Sequence, residues 1–277
     1  MDALAQRTAL ADNVLRRGVA SGDVPGVVAA ATDRRGAIYQ GAYGRRAADQ
    51  PGEMTVDTVG WIASMTKALT ATAAMQLVEQ GRLDLDRSAA DWIADLRSPR
   101  VLEGFDSAGR PRTRPATKPI TLRHLLTHTS GFAYTMWSEA LLRYQQAAAL
   151  PGITSCENAA LNLPLVFEPG ERWEYGIGID WVGRIIETVT GQRLGAYLHD
   201  HVLAPLGMDD TAFRISAAMR PRLAKVHQRG ENGAFTATEF EIVQEPEFEM
   251  GGGGLYSTAP DYLRFIRMIL NRGSGPE

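Results

Sequence analysis

The chain has 277 residues, a length that fits one large domain or two lobes, and 44% of them are apolar, as expected for a protein with a substantial core. Its formal net charge is -3 and it has no lysine cluster or long basic stripe, which argues against nucleic acid and anionic membranes as partners. The single cysteine, Cys156, excludes an internal disulfide. No apolar run is long enough to span a bilayer and residues 1–22 lack the apolar core of a signal peptide, so we expect a cytoplasmic protein.

Residues 1–60 predict the N-terminal part of a lobe that combines helices with a sheet. Apolar residues at helical spacing, such as Leu10 and Val14, predict an N-terminal helix that ends before the first strand. Residues 25–32 and 37–44 predict the two strands of a hairpin, because apolar residues there flank a polar turn.

Residues 61–250 predict a mainly helical lobe. A helix over residues 64–80 should be buried, because small or apolar residues occupy nearly every position, and Gly81 should end it. Residues 98–119 are rich in Pro, Arg and Gly without periodicity, which predicts a surface loop. Further helices are predicted over residues 121–127, 180–190 and 194–202.

Residues 251–277 predict a return segment toward the sheet lobe. The glycine run at residues 251–254 predicts a flexible crossing, and the pattern that follows predicts a helix over residues 259–271. Only the two strands of the N-terminal hairpin are clear in the whole sequence, which is fewer than an independently stable sheet needs.

The tetrad Ser64-Met65-Thr66-Lys67 is the strongest chemical signal. Two residues three positions apart on a helix share a face, and a serine at a helix N-terminus lies beside free main-chain N–H groups. The chain has 3 lysines against 26 arginines. A lysine can lose its proton and act as a base, whereas an arginine cannot. The tetrad therefore indicates a nucleophile, a base and part of an oxyanion hole, with a helix-terminal serine beside a solvated lysine as the alternative.

Other residue types with chemical capacity are less specific. Tyr175 follows a Pro-Gly turn and is flanked by small or polar residues, so a tight loop could present its phenol to a site, or the ring could simply pack. His124 and His128 have the spacing of one helix face, but no glutamate follows His124, so a structural role is favoured over metal binding.

Three aromatic residues lie near these elements in the sequence. They could line an acyl pocket, and packing in the core is an equal alternative. They are Trp61, Tyr134 and Trp137.

Taken together, these segments resemble the serine β-lactamase-like superfamily, which includes class C β-lactamases and penicillin-binding proteins. The segments that carry the resemblance, in the family's order, are residues 61–67, 120–131, 167–175, 203–208 and 251–259. The second motif of true β-lactamases is Tyr-x-Asn, and here the third position is Ile177. Tyr-Gly-Ile-Gly followed by Asp180 and Gly183 resembles instead the family VIII carboxylesterases, the ester-cleaving relatives of class C β-lactamases.

The resemblance implies an α+β fold, with an antiparallel sheet lobe flanked by helices, an all-α lobe, and the site in the cleft between them. It implies that Ser64 attacks an acyl carbonyl while Lys67 and Tyr175 share the role of base. It implies a small-molecule ester as substrate and no metal or organic cofactor. The candidate substrate-binding residues are Trp61, Tyr134, Trp137, Ile177 and Gly253.

The resemblance leaves several activities open. A β-lactamase, a D-aminopeptidase, an acyltransferase or a penicillin-binding relative without turnover would share the same fold. In the family a third motif and further central strands follow the last segment recognised here. We therefore expect these strands, and the second oxyanion donor, to come from residues outside this sequence.

Overall fold

A computed structural model describes residues 3–275 of the chain. The helices are α1 (Ala3–Ala20), α2 (Thr66–Glu79), α3 (Leu122–Leu126), α4 (Glu139–Ala147), α5 (Gly178–Thr190), α6 (Leu194–Leu198), α7 (Ala204–Leu206) and α8 (Ala259–Leu270). The strands are β1 (Gly26–Thr32), β2 (Ala37–Gly44), β3 (Gly60–Trp61), β4 (Arg100–Phe105), β5 (Pro111–Pro115), β6 (His227–Arg229), β7 (Phe235–Ala237) and β8 (Tyr256–Ser257). The chain divides into two compact units, of which the second consists of Ala63–Val202 and Ile242–Gly254 and the first of the other described residues.

In the first unit, β1 and β2 form an antiparallel hairpin. Asp33 closes its turn, because the carboxylate accepts the main-chain N–H groups of Arg35 at 2.7 Å and Gly36 at 3.0 Å. A short carboxylate reaches N–H groups two and three residues onward, so aspartate favours such turns. The helix α1 packs on β2, and α8 packs on β1. The predicted hairpin and both predicted helices are thus confirmed.

Two shorter antiparallel pairs, β3–β8 and β6–β7, also belong to the first unit. The helix α8 begins after Thr258, whose hydroxyl accepts the Asp261 N–H at 3.3 Å. The buried Asp261 carboxylate in turn accepts the Asp210 N–H at 2.8 Å and the Thr211 hydroxyl at 3.0 Å. These bonds fix the start of α8, because each satisfies a polar group that would otherwise be buried unpaired.

In the second unit, α2 packs against α5 and α6. The buried side chains of α2 include Leu69, Ala73 and Leu77, while Met75 is exposed. The helix is therefore buried on one side, and the prediction of burial all round was wrong. The helix α5 contributes Ile185 to the same core and ends at Gly191, where a φ of 73° requires the left-handed conformation that glycine adopts readily.

The predicted surface loop over residues 98–119 was wrong, because this segment forms the antiparallel hairpin of β4 and β5. Asp106 closes the turn by accepting the N–H groups of Ala108 and Arg110, each at 2.9 Å. The prolines of β5 stand at its two ends, where a missing N–H costs least. Arginine-rich, half-exposed strands of this length lack a clear period of two, so the sequence pattern did not reveal them.

The expectation of a single hairpin was therefore also wrong. Four antiparallel strand pairs are present within the described part of the chain. Among residues 3–275, no helix has both the length and the apolar character needed to cross a bilayer.

Candidate active site

Ser64 lies in the 3-10 turn Ala63–Met65, directly before α2. The prediction placed Ser64 on the helix, but α2 begins at Thr66, and the 3-10 turn before it starts at Ala63, which has a left-handed φ of 44°. The Ser64 side chain is exposed, as a nucleophile must be, and its Oγ lies 3.1 Å from Lys67 Nζ. The structure thus brings together the two residues of the tetrad.

Lys67 is half-buried and its Nζ has three polar neighbours. It lies 3.1 Å from Ser64 Oγ, 3.1 Å from the Tyr134 hydroxyl, and donates to the Gly252 carbonyl at 2.5 Å. A carbonyl can only accept, so one N–H is committed to Gly252. In the neutral amine a second N–H can serve Tyr134, which leaves the nitrogen lone pair for the Ser64 proton. This geometry suits a base.

Tyr134 is buried, and its hydroxyl contacts the candidate base. Burial raises the pKa of Tyr134 well above its usual range, and the negative charge of Asp180 and the neighbouring Tyr175 raise it further. The phenol therefore keeps its proton at neutral pH. Sequence reasoning assigned Tyr134 to an acyl pocket and missed this contact, because a separation of 67 residues from Lys67 carries no periodic signal.

Tyr175 is half-buried within a cluster of aromatic rings. The distances from its ring centroid are 4.6 Å to His128, 5.4 Å to Tyr134, 5.4 Å to Trp137 and 6.2 Å to Trp173. Lys67 Nζ lies 4.7 Å from the same centroid, within the range of a cation–π contact. Among the contacts of the described residues, no hydrogen bond joins the Tyr175 hydroxyl to Lys67. Lys67 therefore meets the face of this ring.

His128 lies beyond the end of α3 and has a left-handed φ of 57°. Its Nδ1 accepts the Gly176 N–H at 3.4 Å. Burial, together with the positive charge of Lys67, lowers the pKa of His128 to about 4. The ring is therefore neutral at neutral pH and supports the Tyr175 loop.

His124 caps α3, because its Nδ1 accepts the Thr121 N–H at 3.2 Å while the Thr121 hydroxyl accepts the His124 N–H. Within residues 3–275 no group of three or more His, Cys, Asp and Glu side chains is arranged to hold a metal ion. The two histidines thus have separate structural contacts and do not form a shared face.

The family model for β-lactamase matches residues 11–277. The chain belongs to the β-lactamase family. This family contains serine hydrolases and acyltransferases, and the resemblance drawn from the motifs is confirmed.

Individual family members show the same relationship. Monacolin J acid methylbutanoyltransferase from Aspergillus terreus is 35% identical over 287 residues, which cover 98% of this chain and 68% of the relative. Lovastatin esterase from Penicillium rubens is 32% identical over 275 residues, which cover 94% and 67%. A structure of simvastatin synthase from Aspergillus terreus, the LovD6 mutant, matches with a TM-score of 0.87 and 36% identity, covering 95% of this chain and 66% of that one. The chain thus has the β-lactamase-like fold and spans about two thirds of the length of these relatives.

The other candidate substrate-binding residues have different surroundings. Trp137 is 62% exposed and stands edge-on to Tyr134, with ring centroids 5.6 Å apart. A Cβ built on Gly253 would lie 3.7 Å from the Ala63 carbonyl carbon, so Gly253 lies beside the turn that carries Ser64. Ile177 is 1% exposed and packs in the core, and its contact with substrate stays a prediction.

Trp61 belongs to the first unit, where it pairs with Tyr256 across β3 and β8. Its ring packs on Phe240, with centroids 5.2 Å apart. Trp61, which lies in the family's first motif, thus also has a structural role in the β3–β8 strand pair.

Sequence reasoning also missed the surroundings of Gly252. Its carbonyl accepts from Lys67, and its N–H donates to the Asp180 carboxylate at 2.8 Å. The glycine run and Asp180 were both recognised as features of the family pattern, but nothing in their spacing indicated that they meet behind the base.

Proposed function

We propose that the protein cleaves carboxylic esters with short acyl chains through an acyl-enzyme on Ser64. The observation that carries this proposal is the position of an exposed serine hydroxyl 3.1 Å from a lysine amine that is itself held by a phenol and a main-chain carbonyl. Such an arrangement orients the amine lone pair toward the serine proton, as the base of a nucleophilic catalyst requires.

In the acylation step, Ser64 Oγ attacks the ester carbonyl carbon and its proton passes to Lys67 Nζ. The carbonyl oxygen becomes an oxyanion, for which the Ser64 main-chain N–H is the expected first donor. Collapse of this intermediate breaks the bond to the alcohol oxygen, and the alcohol leaves with the proton that Lys67 accepted. We expect the Tyr175 phenol, whose ring centroid lies 4.7 Å from Lys67 Nζ, to share this proton during the reaction. The protons in such a pair belong to the coupled system rather than to one residue.

In the second step, water attacks the acyl-enzyme and the same base accepts its proton, which regenerates Ser64 and releases a carboxylic acid. An alcohol in place of water would give a new ester, so acyl transfer uses the same site and the same intermediate. Transfer is the second candidate, because a relative 35% identical to this chain is named as a methylbutanoyltransferase. Trp137 and Trp173, each 62% exposed beside Tyr175, offer apolar surface to an acyl chain or an acceptor alcohol.

The test is the turnover of p-nitrophenyl butyrate, followed by release of p-nitrophenolate and by mass spectrometry of the protein. We expect turnover and an added butyryl group on Ser64. Addition of a primary alcohol separates the two candidates, since a transferase forms the new ester at the expense of butyric acid. An enzyme preparation that neither turns over nor becomes acylated would contradict the proposal.

The two tyrosines beside Lys67 should respond differently to loss of their hydroxyls. We expect Tyr175→Phe to lower kcat/KM by about 10²-fold, the usual effect of removing a group that transfers a proton. Tyr134→Phe removes one hydrogen bond to the amine, which should cost roughly 10-fold. Tyr144→Phe, on α4 and outside this cluster, is the matched control and should leave kcat/KM unchanged. Wild-type turnover by Tyr175→Phe would exclude its phenol from proton transfer.

Specificity should favour esters over β-lactams. A lactam's amide side chain needs a hydrogen-bond partner, and an unsatisfied polar group at a buried site is costly. True β-lactamases supply an asparagine in the second motif, whereas Ile177 has no polar group and lies in the core. We therefore expect kcat/KM for p-nitrophenyl butyrate to exceed that for nitrocefin. A higher kcat/KM for nitrocefin than for p-nitrophenyl butyrate would show that the protein is primarily a β-lactamase.

A further inference from the structure

Asp180 is an acidic side chain in the first turn of α5 that is 0% exposed. One of its carboxylate oxygens, Oδ1, accepts the Gly252 N–H at 2.8 Å. The other, Oδ2, has no hydrogen-bond partner among the described residues. Burying a carboxylate with so few partners opposes folding, so stability alone does not explain this residue.

Gly252, the hydrogen-bond partner of Asp180, also contacts the candidate base, Lys67. The Gly252 N–H is held by Asp180, and the Gly252 carbonyl accepts from Lys67 Nζ at 2.5 Å. The preceding carbonyl, of Gly251, accepts from the buried Thr70 hydroxyl at 2.9 Å. The main chain at residues 251–252 is thus fixed from α5 on one side and from α2 on the other.

The Asp180 side chain also packs directly against Gly252. A Cβ built on Gly252 would lie 2.5 Å from Asp180 Oδ2, closer than real Cβ atoms approach any neighbour. The carboxylate therefore lies in van der Waals contact with the glycine as well as in a hydrogen bond with it. A change at Asp180 should be transmitted to the Gly252 carbonyl.

We propose that Asp180 is a positioning residue, which holds the Gly252 main chain so that its carbonyl fixes Lys67 Nζ beside Ser64 Oγ. The inference rests on the proposed function of Ser64 and Lys67. Lys67 Nζ needs this support, because a long, flexible side chain loses rotamer freedom when it is held in one geometry. Misplacement of a catalytic group by about 1 Å can cost on the order of 10²-fold in rate.

Asp180 interacts electrostatically with titratable groups from several segments. The charge of Lys67 on α2 lowers the pKa of Asp180, and the charge of Asp180 raises the pKa of Tyr134, after α3, and of Cys156. Burial raises the pKa of Asp180 from 3.8 to about 6, against the opposing effects of the Gly252 N–H and the Lys67 charge. The folded protein therefore binds this proton more tightly than the unfolded chain does. Stability contributed by Asp180 at low pH is lost as the pH rises through about 6.

Two substitutions of Asp180 distinguish an effect on the position of Lys67 from an effect on the stability of the fold. Asp180→Asn keeps the shape and an oxygen that can accept the Gly252 N–H, whereas Asp180→Ala removes the acceptor. The matched control is Asp261→Asn, which alters another buried carboxylate, bonded within the first unit. The measurement is the second-order rate of Ser64 labelling by a fluorophosphonate, read by mass spectrometry of the intact chain together with its melting temperature.

We expect Asp180→Ala to slow labelling of the folded protein by about 10²-fold, and Asp180→Asn to restore the rate to within about 10-fold of wild type. The control should label at the wild-type rate. The wild-type protein should lose stability between about pH 4 and pH 7.5 as Asp180 ionises, whereas asparagine does not titrate. The melting temperature of Asp180→Asn should therefore rise relative to that of wild type over this range.

The outcomes that overturn the inference are distinct from those that overturn the proposed function. If wild-type Ser64 is not labelled at all, the proposed function fails. If wild type is labelled and Asp180→Ala is labelled equally fast, only the positioning role fails. A loss in Asp180→Ala that merely tracks its unfolded fraction, or an asparagine variant as slow as the alanine variant, also overturns the positioning role.

Discussion

Ser64→Ala should lower ester cleavage by roughly 10⁴-fold or more, the scale seen when a serine enzyme loses its nucleophile. The variant lacks the only oxygen that can form the acyl-enzyme, so neither transfer nor hydrolysis can proceed through this route. The fold should persist, because the Ser64 side chain is exposed and its hydrogen bond in the structure is the one with Lys67. Initial rates with p-nitrophenyl butyrate and the melting temperature are the two measurements.

Ser107→Ala is the matched control for this experiment, since Ser107 is an exposed serine of the same unit in the turn between β4 and β5. It should retain the wild-type rate. Substantial activity in pure Ser64→Ala, free of wild-type protein, would show that another residue is the nucleophile.

Lys67→Arg should be nearly as damaging as Lys67→Ala, with a loss of about 10²- to 10⁴-fold, the range for removal of a general base. Arginine keeps the positive charge, but its guanidinium stays protonated and cannot accept the serine proton. The planar group is also too large to take the position of Nζ between Ser64, Tyr134 and the Gly252 carbonyl. Single-turnover acylation with p-nitrophenyl butyrate measures the affected step directly.

Lys225→Arg supplies the control, because Lys225 forms an ion pair with Glu239 at 2.7 Å and arginine can serve that contact equally. We expect it to acylate at the wild-type rate. Near-normal acylation by Lys67→Arg would show that Lys67 acts only through its positive charge. Another group in the site would then have to be the base.

Local periodicity explains which parts of the fold were accessible from the sequence. The N-terminal hairpin, α2, α3, α5 and α8 were predicted because each has an apolar pattern bounded by a turn or a capping residue. The hairpin at β4 and β5 was missed, because its stability comes from contacts outside the segment. The buried Glu168 carboxylate accepts from the Arg114 side chain and from the Thr117 N–H, and it lies more than 50 residues further along the chain.

The start of α2 shows the same limit of prediction from local sequence, here over only a few residues. The tetrad predicted a helix from Ser64, while the structure places this residue in a 3-10 turn before the helix. The contact between Ser64 and Lys67 survives, since residues three positions apart approach each other in either kind of helical turn. The prediction was correct where it depended on spacing alone and wrong about the residue at which the α-helix begins.

The sequence by itself determined the family and placed the candidate nucleophile beside its candidate base, because three-residue spacing on a helical turn needs no tertiary contact to bring two side chains together. Only the tertiary structure decided what surrounds Lys67. Tyr134, Tyr175 and the Gly252 carbonyl reach it from segments 67, 108 and 185 residues away. Their meeting depends on the packing of α2 against α5, and no local period in the chain encodes such contacts.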